Sequence, residues 1–74
     1  MYNIKLYSTH CGHCQGIAMM LKKKELPYEE IYLDPTDPKQ VQKIADLGFR
    51  SAPVLVVDDK VMGYEEAGNW IRGL

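Results

Sequence analysis

The sequence predicts a single α/β domain over residues 1–74, with element order β-α-β-α-β-β-α and a four-stranded mixed sheet flanked by three helices. Three observations carry this. Segments with two-residue alternation or short β-branched runs read as strands, and segments with 3.6-residue periodicity read as helices. The two kinds alternate along the chain except for one strand pair near residue 58. At 74 residues there is room for one thin core and for nothing beside it.

Tyr2 to Tyr7 alternates in polarity and is rich in strand formers, which gives the first strand. Ser8-Thr9-His10 is a short loop. From Gly12 to Glu25 the pattern is helical, with Ile17, Met20, Leu21 and Lys24 on one stripe and Ala18 beside it. Lys22, Lys23 and Lys24 complement the helix C-terminus, and Pro27 ends the segment. Tyr28 to Leu33 is the second strand, closed by Asp34-Pro35. Asp37 as N-cap, Pro38 at the first helical position and Gln40 at the capping-box position start the second helix. Its stripe is Val41, Ile44 and Ala45, and Gly48 stops it with Phe49 behind. Val54 to Val57 is a buried strand, and Asp58-Asp59 turns it into Lys60 to Met62. Glu65 to Leu74 is the last helix, with Ala67, Trp70, Ile71 and Leu74 on one face and two acids at its dipole-favoured start.

Composition excludes several classes. No run of 18 apolar residues exists, so no membrane helix is expected, and the start of the chain lacks the pattern of a secretion signal. Nine Lys and Arg against ten Asp and Glu leave a net charge of −1, without the basic footprint of a nucleic-acid partner. Two cysteines three positions apart close too small a loop to staple a fold. The expectation is a cytoplasmic monomer whose cysteines do chemistry.

Cys11-Gly12-His13-Cys14 lies where the first strand hands over to the first helix. Unpaired N–H groups and the helix dipole favour thiolate there, and C-x-x-C cysteines so placed have pKa values of about 3.5–7.5. Cys11 is the expected nucleophile on a substrate disulfide. Cys14, one turn on, is the expected resolving thiol that closes the Cys11–Cys14 disulfide and frees the reduced substrate. The cysteines have no second ligand pair for a structural zinc, and residue 15 is Gln where c-type haem attachment needs His. The alternative reading is a binding or carrier module for Cu, Zn or an iron–sulfur cluster on the same two cysteines.

With Ala52-Pro53-Val54 downstream, the chain resembles the thioredoxin superfamily over essentially its whole length. It begins ten residues before Cys11, so it is similar to the minimal members, glutaredoxins and the NrdH-type redoxins that serve ribonucleotide reductase. Gly48-Phe49-Arg50-Ser51-Ala52-Pro53-Val54 resembles the NrdH-type pattern. The resemblance implies a minimal thioredoxin fold and a cis Ala52–Pro53 bond opposite the cysteines. It also implies a strand-like pairing of substrate with the backbone around Ser51 and Ala52. It implies no bound cofactor and no metal, disulfide-bearing proteins as substrates, and either glutathione or a thioredoxin reductase as electron donor. Small copper carriers also place C-x-x-C after a first strand, but in a different element order.

Cys-Gly-His-Cys is the tetrapeptide of protein disulfide isomerases. With Gly12 as its neighbour, a His13 that is cationic or donates a hydrogen bond stabilises the Cys11 thiolate, which makes the disulfide more oxidising. A potential above about −240 mV is expected. Glutathione binding by the family uses a basic residue shortly before the first Cys and a Gly-Gly-x-Asp-Asp-like helix start. Here Tyr7-Ser8-Thr9-His10 has no Lys or Arg, and Gly63-Tyr64-Glu65-Glu66 matches only approximately. Tyr7, Thr9, His10, Ser51, Ala52, Pro53, Gly63, Tyr64, Glu65 and Glu66 are the candidate substrate or glutathione contacts, with His10 expected to be a bystander to the chemistry. Lys5 stands where thioredoxins bury a carboxylate, and it tunes the site if it points beneath it.

Overall fold

The computed structural model describes residues 2–74. The elements are β1 (Ile4–Ser8), α1 (Gly12–Lys23), β2 (Glu29–Tyr32), α2 (Pro38–Asp46), β3 (Val54–Val57), β4 (Lys60–Met62) and α3 (Tyr64–Arg72), in the predicted order. The strands form one mixed sheet, β2-β1-β3-β4: β1 runs parallel to β2 and antiparallel to β3, and β3 antiparallel to β4. This is the minimal thioredoxin-like α/β fold. No helix among the described residues is long and apolar enough to cross a membrane.

Strand alternation decides which helix covers which face. Ile4, Leu6, Leu55, Val57 and Met62 point to one side and pack with Ile17 and Leu21 of α1 and Ala67 and Ile71 of α3. Val54 points to the other side and packs with Leu33 and with Ile44 of α2. The sheet is thus covered on both faces.

Several boundaries differ from those the sequence pattern suggested, for local reasons. The first strand begins at Ile4, two residues late, because Asn3 turns its backbone to Asp58 through bonds of 2.8 and 3.0 Å. The first helix ends at Lys23, because Glu25 enters the left-handed region (φ 57°) and the Leu26 N–H bonds back to the Leu21 carbonyl. Lys24 therefore leaves the apolar stripe, and its Nζ donates to the Leu74 carbonyl at 3.1 Å. Ala45 is likewise exposed, while Leu47 packs with Ile44. Gln40 makes no capping box, since the Asp37 N–H is already taken by the Asp34 carbonyl. Instead Gln40 donates to the Asp37 carboxylate at 3.1 Å and accepts from the Asp34 N–H at 2.8 Å. The Asp34 carboxylate accepts from the side-chain hydroxyl and the N–H of Thr36, which holds its carboxyl below the ordinary range.

Gly48 closes α2 as expected. Its φ is 92°, its N–H bonds to the Ala45 carbonyl, and the Phe49 N–H bonds to the Ile44 carbonyl. A Cβ there would meet nothing within 4 Å, so the penalty of Gly48→Ala is conformational. That substitution is expected to destabilise the protein by about 1–2 kcal/mol. Thermal unfolding followed by circular dichroism should show a loss of about 4–8 °C per kcal/mol.

Candidate active site

β1 ends at the buried Ser8, and its chain turns through Thr9 and His10 into Cys11, the N-cap of α1. Cys11 has extended backbone angles (φ −75°, ψ 168°), and the Gln15 N–H bonds to its carbonyl at 2.9 Å. Its Sγ accepts from the Cys14 N–H at 3.2 Å, so one of the unpaired donors of the helix start points at the sulfur. Such a donor favours thiolate once the bond to Cys14 is open. Cys11 and Cys14 are joined as a disulfide with Cα atoms 5.0 Å apart. Cys14 is 1% exposed, whereas Cys11 is only half-buried. Cys11 is the more accessible of the two sulfurs.

The Ala52–Pro53 peptide bond is cis, Pro53 is buried, and the Ala52 carbonyl oxygen lies 3.9 Å from Cys11 Sγ. Beside them Thr9, Cys11, Pro35, Val41, Ile44, Arg50, Ser51 and Ala52 line a groove of about 260 Å³. Neither Val41, expected only in the apolar stripe of the second helix, nor Arg50 was among the candidate site residues, although Arg50 stands inside the Gly-Phe-Arg pattern. Only the turn that carries residues 50–52 back to Cys11 gives Arg50 a place beside the sulfur.

Gly48-Phe49-Arg50 and Pro53-Val54 resemble the NrdH-type pattern, and comparison with known proteins finds relatives of that kind. A family model described as a thioredoxin domain matches residues 2–64. The glutaredoxin-like protein NrdH of Lactococcus lactis is 35% identical over 57 residues, covering 76% of this chain and 78% of that protein. The chain belongs to the thioredoxin family, among its glutaredoxin-like members. A glutaredoxin from Archaeoglobus fulgidus superposes with a TM-score of 0.72 at 27% identity, covering 99% of this chain and 89% of that one. A Nu-class GST from Haemonchus contortus shares the fold at a TM-score of 0.78 and 24% identity. The chain spans only about a third of that protein, 36% of its length. Membership supports thiol–disulfide oxidoreductase activity at the general level.

The other candidate residues fall into distinct places in this redoxin. Gly12 is exposed at the first position of α1. His13 lies flat on Tyr64, the first residue of α3, with ring centroids 4.2 Å apart and planes 14° from parallel. Gly63 is the N-cap of α3 and offers no side-chain cap, and a Cβ there would come within 2.8 Å of the Phe49 ring. Glu65 and Glu66 are exposed in the first turn, and the Glu66 carboxylate lies 3.5 Å from Lys60 Nζ on β4. Thr9 stands between the two cysteines' surroundings, with Oγ1 3.9 Å from Cys14 Sγ.

Two residues lie on the opposite face of the sheet from α1. Alternation along β1 puts Lys5 and Tyr7 on the α2 face, opposite Ile4 and Leu6, which meet α1. Tyr7 shares a separate groove with Ile31, Lys43, Asp46 and Leu47. Lys5 is half-buried on a central strand, paired with Glu29 and Val56, across the sheet from the helix that carries Cys14. Neither residue faces the helix that carries Cys14.

Proposed function

We propose that the protein is a dithiol–disulfide oxidoreductase in which the Cys11 thiolate attacks a substrate disulfide and Cys14 resolves the mixed disulfide. The observation that supports this best is the half-buried Cys11 sulfur at the start of α1, more accessible than Cys14 and faced by the Cys14 N–H on one side and the Ala52 carbonyl on the other. The backbone around Ser51 and Ala52, which lines the groove beside Cys11, pairs with the substrate backbone, and the Val41–Ile44–Arg50 part of that groove takes its side chains. Arg50 favours a carboxylate near the target disulfide.

The donor we propose is a thioredoxin reductase. Residues 7–10 carry no Lys or Arg, and the start of α3 lacks the second Gly and both Asp of the glutathione-binding pattern. The NrdH-type pattern at Gly48–Val54 makes ribonucleotide reductase the candidate protein substrate. One assay with two donors tests both levels. NADPH consumption on a small disulfide is followed with a thioredoxin reductase, and separately with glutathione and glutathione reductase. Turnover with glutathione alone would overturn the donor, and turnover with neither would overturn the exchange reaction.

His13 is proposed to stabilise the Cys11 thiolate. His13→Ala should then lower the reduction potential by at least about 30 mV, ~1.4 kcal/mol for the two-electron couple. Equilibration against a glutathione redox buffer measures it. An unchanged potential would leave the ring a bystander stacked on Tyr64.

A further inference from the structure

Cys14 presents a chemical problem that Cys11 does not. It is 1% exposed, and burial opposes ionisation of a thiol, yet only a thiolate can attack the mixed disulfide. Some group must take its proton. The strand beneath offers none, because Lys5 is a cation and lies on the other face of the sheet.

A base does stand on the other side of Cys14. Ser8, His10, Cys14, Gln15, Ala18, Met19, Lys22 and Glu30 line an open groove of about 260 Å³, room for several waters at ~30 Å³ each. His10 Nε2 lies 3.2 Å from Glu30 Oε2, and the ring packs on Tyr32 at a centroid distance of 4.4 Å. The backbone holds the ring there: His10 takes φ 61°, its N–H bonds to Ser8 Oγ at 3.0 Å, and its carbonyl accepts from Gln15 Nε2 at 3.5 Å. A left-handed non-glycine residue held by so many partners is strained with a reason. With Nε2–H given to the carboxylate, Nδ1 is left as the acceptor.

We propose that the His10–Glu30 pair is the proton acceptor for Cys14 in the resolving step, acting through water in this groove. The proposal rests on the exchange reaction above. In the mixed disulfide, the Cys14 S–H proton passes to His10 Nδ1. The Cys14 thiolate attacks Cys11 Sγ, the Cys11–Cys14 bond forms, and the bond from Cys11 to the substrate sulfur breaks. That electron pair leaves on the substrate thiolate, which is reduced as Cys14 is oxidised, and it takes a proton from solvent. The imidazolium returns its proton to water through the open groove. Glu30 and Tyr32 from β2, and Lys22 and Cys14 from α1, are the titratable groups that face His10.

The test uses the reduced protein mixed rapidly with dithiobis-nitrobenzoate, whose coloured thiolate is released once when Cys11 attacks and again when Cys14 resolves. His10→Asn is the variant, since Asn also accepts the left-handed backbone but is no base. The expected result is a fall of about 100-fold in the ratio of second-phase to first-phase rate near neutral pH, typical of losing a general base. Added imidazole should restore the second-phase rate of the variant. Glu30→Gln should lower the same ratio by a smaller factor. A ratio unchanged in His10→Asn would overturn the proposal, and so would a slowing of both phases alike. Absence of a first phase in the unmodified protein would instead overturn the exchange reaction itself.

Discussion

Cys11→Ser is expected to lose at least about 1,000-fold in the turnover of a small disulfide, ~4 kcal/mol of barrier, with whichever reductase supports the unmodified protein. A hydroxyl at that position meets the same Cys14 N–H and the same helix start, but it does not ionise there and cannot form a mixed disulfide. Cys14→Ser should behave differently. Cys11 remains half-exposed and still attacks, so the protein accumulates as an adduct with one substrate thiol, readable by mass spectrometry. Adducts on Cys11→Ser with free Cys14 would reverse the roles of the two sulfurs. The 1% exposure of Cys14 predicts that they do not form on the timescale of turnover.

The second large effect is on stability. Leu55 is fully buried in β3, opposite Leu6 on one neighbouring strand and Met62 on the other, within the cluster that α1 and α3 cover. Leu55→Ala should destabilise the protein by about 2–5 kcal/mol, through lost transfer energy and the cavity left behind. A chain of this length has only about 4–11 kcal/mol in total, at ~0.05–0.15 per residue. The variant should therefore show a urea midpoint reduced by roughly half, and partial unfolding near 37 °C. Leu74→Ala, at a residue 45% exposed, is the matched control and should shift the midpoint little. Equal shifts in the two variants would mean that the buried cluster on the α1 face is not the main source of stability.

What could be read along the chain was whatever has a local cause. Asp37 and Pro38 announce α2, Gly48 ends it, and Cys11-Gly12-His13-Cys14 marks the strand–helix junction, because each acts on backbone within a few residues. Periodicity sufficed for the element order and for most of the core. The faces of the sheet were less legible. Lys5 and Tyr7 look like site residues by their distance from Cys11 in sequence, but strand alternation turns them to α2. The surroundings of His10 were illegible. Its partners Glu30 and Tyr32 come from a strand whose parallel register, Ser8 opposite Tyr32, no turn residue specifies. The stack of His13 on Tyr64 depends in the same way on how α1 lies against α3, so two residues 51 positions apart meet without any shared motif.

The contact between Cys11 and the Ala52 carbonyl joins residues separated by 41 positions, and this carries a consequence for when the protein becomes active. A ribosome adds about 5–20 residues per second, so the two cysteines are exposed for seconds before the turn at residues 50–53 exists. During that interval they are ordinary thiols on an unfolded chain, open to pairing with the wrong partner. Selective exchange begins only once β3 has zipped onto β1, a long-range pairing that forms late compared with local helix turns. Redox competence is therefore a report on complete folding, and a nascent chain stalled before residue 52 should be an indiscriminate thiol and no enzyme.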